Sequence, residues 1–125
     1  GHVVVAVDTS GSISDELLGD IAAELQALSQ EVEEMTLLIA DARVQQAVDD
    51  AEIAAFLRAA RFRGGGGTDH RPVFRWIDER NLGPDLFVGI TDLFSHFPVR
   101  RPHFPVMWIA PKRHGEAPWG HVVEL

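Results

Sequence analysis

Val3-Val4-Val5-Ala6-Val7 is an unbroken apolar run in which four of five residues are β-branched. A run without polar alternation forms a strand buried on both faces, and such a strand needs helices or loops to cover each side. Thr9-Ser10-Gly11-Ser12 turns the chain after Asp8. Ile13, Leu17, Ile21, Leu25, Leu28 and Val32 then recur at threes and fours, which is the apolar stripe of an amphipathic helix.

The same alternation continues. Met35 to Ala40 predicts a second buried strand, Asp41-Ala42 a turn, and Arg43 to Val48 a weaker alternating strand suited to a sheet edge. Ala51 to Arg61 predicts a short helix with Ile53, Phe56, Leu57 and Ala60 inward, broken by Gly64 to Gly67. A further helix runs from about Arg71 to Arg80, with Pro72 tolerated in its first turn, and Asn81-Leu82-Gly83-Pro84 stops it. Leu86 to Thr91, Phe104 to Ala110 and His121 to Leu125 read as the remaining strands. Trp76 and Trp108 are expected in the core, and Trp119 packed against the sheet. The expected fold is α/β: a doubly wound, mainly parallel sheet with one antiparallel edge strand and helices on both faces.

The 125 residues make a single domain, 1–125, at roughly 100–200 residues per domain. With no cysteine, disulfides, thiolate metal sites and cysteine nucleophiles are excluded. Nineteen acidic against 11 basic side chains give a formal net charge of -8. That balance argues against nucleic acid, whose phosphates need clustered cations, and against anionic membrane surfaces. The acid is concentrated in residues 1–57, where Arg43 is the lone base, and most of it reads as a solvated surface. No apolar stretch approaches the roughly 20 residues of a membrane span, and no basic segment precedes Val3 as in a signal peptide, so a cytoplasmic location is expected. Gly1-His2 abut the first strand so closely that the chain reads as a domain cut from a longer protein.

In open parallel sheets, ligands collect beyond the carboxyl ends of the strands. Asp8 and Asp92 are both expected at such ends, and Gly64-Gly65-Gly66-Gly67 delivers Thr68 and Asp69 from a loop whose backbone can approach a ligand closely. Asp8, Ser10 and Ser12 alternate, so a tight loop can point all three to one side. With Thr68 and Asp92 they make five oxygen groups, a donor set that suits a hard divalent cation such as Mg2+ or Mn2+. Each has a plainer reading. Ser12 with Asp15 is also a helix capping box, Asp8 could cap a neighbouring helix, and the glycines could be a linker. Asp69 is either a group that orients a ligand's surroundings or a surface carboxylate, and Asp41 reads as a turn residue. The histidines, His70 among them, have no paired spacing that would make a zinc site. Arg58, Arg61, Arg63, Arg100 and Arg101 could rim the cation site or be ordinary solvated side chains.

Asp8-x-Ser10-x-Ser12, Thr68 in a second loop and Asp92 in a third resemble the metal-ion-dependent adhesion site (MIDAS) of von Willebrand factor type A (VWA) domains, and the element order follows that family along nearly the whole chain. A narrower resemblance, on Phe62 to Phe74 and Ile90-Thr91-Asp92-Leu93, is to the VWA-like C-terminal domain of bacterial metallopeptidase-like proteins. These resemblances imply a Rossmann-like VWA fold and a Mg2+ or Mn2+ site at Asp8, Ser10, Ser12, Thr68 and Asp92. They also imply a cation-dependent protein-interaction module that takes a carboxylate from a partner, with MoxR-type AAA ATPases as one partner system. No His-Glu-x-x-His zinc motif is present, so the domain is not expected to be an enzyme, and peptidase activity would belong to an N-terminal region outside this chain.

Two alternatives stay open. Asp8-Thr9-Ser10-Gly11-Ser12 also resembles the nucleophile loop of haloacid-dehalogenase-like phosphotransferases, in which Asp8 would carry an aspartyl-phosphate, although Lys112 is the one lysine and Thr91-Asp92-Leu93 lacks a second acid. The other is a metal-free scaffold of the same fold. An aspartic protease is discounted because Asp8-Thr9 is followed by serine and no all-β pattern accompanies it. A phosphate-binding glycine loop is discounted because no lysine follows the glycines.

Overall fold

The computed structural model describes residues 1–8, 14–40, 44–49 and 69–125. Within them the chain forms β1 (His2–Asp8), α1 (Asp15–Ser29), β2 (Glu34–Ala40), β3 (Val44–Asp49), α2 (Arg71–Glu79), β4 (Leu86–Ile90), β5 (Val106–Ala110) and β6 (His121–Glu124). One sheet holds all six strands in the order β3-β2-β1-β4-β5-β6. β1 is parallel to both β2 and β4, β5 and β6 continue the parallel set, and β3 runs antiparallel to β2 at one edge. The helix expected over Ala51 to Arg61, the glycine run and the Asp41-Ala42 turn lie outside the described residues.

The β1 run behaves as its composition dictates, with Val3 through Asp8 all buried and successive side chains going to opposite faces. Val3, Val5 and Val7 join Met35, Leu37 and Ile39 of β2 under Leu18, Ile21 and Leu25 of α1. Val4 and Ala6 join Leu38, Phe87 and Trp108 under Val73, Phe74 and Ile77 of α2. Two apolar layers, one on each face, thus fix the sheet between its helices. No helix among the described residues is long and apolar enough to cross a membrane.

Several boundaries differ from the sequence expectation, each for a local reason. Ser14, not Ser12, is the N-cap of α1, because its hydroxyl accepts the Leu17 N–H at 3.1 Å. The helix stops at Ser29, and Val32 reaches the core from the following bend. β5 begins at Val106, since Pro105 has no N–H to give the ladder, although its carbonyl still accepts from Phe87 N at 2.9 Å. β4 ends at Ile90, so Thr91 and Asp92 belong to the loop beyond it. Trp76 is half-buried rather than interior, with the Arg80 guanidinium 4.2 Å from its ring centroid.

The α2 face is dominated by aromatic rings. Trp108 is fully buried and lies against Phe74, Phe87, Phe97 and Trp119, and its indole N–H donates to Trp119 O at 2.9 Å. Its neighbour across the ladder is Gly89, where any Cβ would overlap the indole ring. This aromatic layer extends upward to the carboxyl edge of the sheet, where it meets His70.

Candidate functional site

From β1 the chain builds outward to β2 and β3 on one side and to β4, β5 and β6 on the other, so the strand order reverses between β1 and β4. That reversal opens a crevice at the carboxyl ends of these two strands. The register Val7↔Ile90 brings Asp8 and Thr91 side by side at its floor. Asp8 is 1% exposed, and a carboxylate so placed is costly unless its oxygens are hydrogen-bonded. Thr91 Oγ1 donates to Asp8 Oδ2 at 2.8 Å, and Ser95 Oγ lies 3.5 Å from the same oxygen.

His70 approaches the same carboxylate oxygen, with Nε2 at 3.7 Å from Asp8 Oδ2 and 3.3 Å from Thr91 Oγ1. It occupies the N-cap of α2, where a side chain ordinarily serves the first turn. Here that service is unneeded. Asp69 Oδ1 accepts Arg71 N, Pro72 has no N–H, and Val73 N and Phe74 N both reach His70 O. The imidazole is therefore released to point inward, stacked on Phe97 at 5.2 Å and tilted against Trp108 at 5.3 Å between centroids. Its backbone N–H is tied to His96 O at 2.8 Å. Burial pushes the imidazole pKa below its ordinary value, against the opposing pull of the Asp8, Asp69 and Asp92 charges. The contact with Asp8 is accordingly that of a neutral ring beside a carboxylate, and Nδ1 is buried without a hydrogen-bond partner among the described residues.

Asp92 sits on the adjoining loop and is half-exposed. Its Oδ1 accepts Phe94 N at 3.1 Å and its backbone carbonyl accepts Gly115 N at 2.8 Å. Between them Leu93 adopts φ +67 with its side chain buried, a conformation that costs an ordinary residue roughly 1–2 kcal/mol. The Leu93 N–H donates to Thr91 Oγ1 at 3.1 Å, so the strained loop is fastened to the same hydroxyl that holds Asp8. Leaving Leu93 inside directs Phe94 outward, 53% exposed beside Asp92. Asp69 is committed elsewhere. Arg71 donates to it from its backbone N–H, from Nε at 2.9 Å and from Nη2 at 2.8 Å, and this holds the Asp69 carboxyl below the usual range.

Of the five residues expected to hold a cation, Asp8 is thus placed at the end of β1 and Asp92 in the loop that follows the neighbouring β4. Ser10, Ser12 and Thr68 lie outside the described residues, as do Arg58, Arg61 and Arg63. Arg100 and Arg101 are placed at a different cavity. They line a cavity of about 500 Å³ with Phe74, Ile77, Asp78 and Phe104, against the C-terminal half of α2, whereas Asp8 lies at its N-terminal end. Among the described residues, no group of three or more histidine, aspartate or glutamate side chains could hold a metal ion. The side chains that sequence reasoning did not assign to the site are His70, Thr91 and Ser95. A signal for two of them was present: Thr91 directly precedes Asp92, and His70 directly follows Thr68-Asp69.

The family described as VWA-like domain (DUF2201) has a model that matches residues 3–125, nearly the full chain. No curated protein matches it.

Proposed function

This chain belongs to the VWA-like domain family, and we propose that it is a protein-interaction module that binds a partner carboxylate through a Mg2+ or Mn2+ ion at the Asp8 crevice. The observation that carries this reading is Asp8 itself, a fully buried carboxylate at the switch point of the sheet, held by Thr91, with Asp92 on the next strand's loop. Two carboxylates with oxygen-bearing neighbours suit a hard divalent cation, and a neutral His70 adds no competing positive charge. Ser10, Ser12 and Thr68 would supply hydroxyl ligands, as the resemblance to the adhesion site implies. When bound, the cation supplies an open position for one further carboxylate oxygen. The residues of the crevice bind and orient, and we assign them no catalytic step. The partner is then a protein with an exposed aspartate or glutamate, and a MoxR-type ATPase system is the class suggested by the narrower resemblance.

Calorimetric titration with Mg2+ and Mn2+ tests the reading. Wild type is expected to give a saturable heat that Asp8→Ala loses. Asp92→Ala, at a half-exposed position that the core tolerates more readily, is expected to weaken binding at least about tenfold, the loss typical of removing a metal-site contact. A folded wild type that gives no heat with either cation overturns the proposal.

A further inference from the structure

We propose that His70 is a positioning residue for Asp8: its Nε2–H donates to Thr91 Oγ1 and thereby commits the Thr91 hydroxyl hydrogen to Asp8 Oδ2. The argument is one of counting hydrogens. Thr91 Oγ1 has a single hydrogen, and its shortest contact, 2.8 Å, is to Asp8 Oδ2, which can only accept. Leu93 N at 3.1 Å can only donate to the hydroxyl. At the remaining contact, 3.3 Å from His70 Nε2, the hydroxyl has only a lone pair left to offer. If Nε2 carried a lone pair as well, it would face the Thr91 oxygen and, at 3.7 Å, the Asp8 carboxylate, with no hydrogen between the ring nitrogen and either oxygen. Nε2 must therefore carry a hydrogen, and in a neutral ring that leaves Nδ1 as the buried acceptor without a partner among the described residues.

The aromatic layer makes this orientation rigid. Phe97 and Trp108 pack the ring on two sides, and the His70 N–H to His96 O bond anchors its backbone. His70 thus acts on Asp8 through Thr91, fixing the direction in which the Thr91 hydroxyl gives its hydrogen to Oδ2. The consequence for cation binding rests on the function proposed above, whereas the hydrogen-bond assignment does not.

Two measurements test it. In metal-free protein with 15N-labelled histidine, the His70 ring is expected to show a protonated Nε2 and an unprotonated Nδ1, and the opposite tautomer overturns the assignment. In Mg2+ titrations, His70→Gln, whose amide can still donate near the Nε2 position, is expected to bind within about threefold of wild type. His70→Leu, which fills the space without a donor, is expected to bind at least about tenfold more weakly at unchanged far-ultraviolet circular dichroism. Equal affinity of a folded His70→Leu overturns the positioning role. If wild type binds no cation, the proposed function falls together with the cation consequence, and the tautomer measurement alone still decides the hydrogen-bond relay.

Discussion

The hydroxyl of Thr91 has one hydrogen and three close polar neighbours, and most of the chemistry of the crevice follows from how it shares them. Valine at this position keeps the shape and removes the oxygen. Thr91→Val takes a hydrogen bond from a buried carboxylate and leaves two buried donors, His70 Nε2–H and Leu93 N–H, without their acceptor. A hydrogen bond to a charged group is worth about 1.5–3 kcal/mol, so urea unfolding of Thr91→Val at neutral pH is expected to show a loss of at least that order. A loss under about 0.5 kcal/mol would mean that Asp8 does not depend on this hydroxyl. Asp8 and Asp92 could be read from the chain because a carboxylate closing an apolar run is visible in one dimension. Thr91, His70 and Ser95 could not be read that way. Their partner Asp8 lies 62 to 87 residues away, and only the register of β1 on β4 and the inward turn of the α2 N-cap bring them to it.

The elements themselves were largely legible, because β-branched runs and three-and-four spacing are local properties of a sequence. β1, β2 and α2 fall within one residue of where those patterns put them, α1 stops three residues short of its apolar stripe, and the starts of α1 and β5 trace to single atoms: the Ser14 hydroxyl and the hydrogen that Pro105 lacks. Contacts between elements are a different matter. Gly89 lies within the apolar run of β4 as though any small residue would serve, but the Trp108 ring lies across it, and Gly120 at φ +93 approaches the indole Nε1 from beyond β5. An alanine at 89 would reduce the freedom of the unfolded chain, a gain of at most about 1 kcal/mol. It would also force the indole out of its aromatic surroundings, and overpacking of this kind costs typically 1–3 kcal/mol. Gly89→Ala is therefore expected to lower the thermal midpoint, and its effect should reach the crevice, because the ring that moves is one that packs His70. An unchanged midpoint would show that Trp108 can yield.

Taken as one folding unit, the domain couples its crevice to its stability by mass action. A cation that binds the folded chain and not the unfolded one stabilises by about 2.7 kcal/mol at a free concentration one hundred times its dissociation constant. For 125 residues this corresponds to a rise of roughly 10 °C in thermal midpoint, which a chelator should reverse and Asp8→Ala should abolish. A midpoint indifferent to Mg2+ and Mn2+ would contradict a cation-dependent role. The net charge of -8 gave little guidance to this site, since Asp8 is one acid among many and the others described on α1 and the bend after it are mostly solvated. The position of β1 carries a further consequence. It is bonded on both edges, to β2 and β4, and covered on both faces, so its amides should exchange with solvent only when the entire sheet opens, while β3 and β6 can fray at the margins. Asp8 is the last residue of that most protected strand. A partner that binds through a cation held at Asp8 would therefore sense whether the domain is intact, engaging a chain frayed at its edges and ignoring one whose centre has melted.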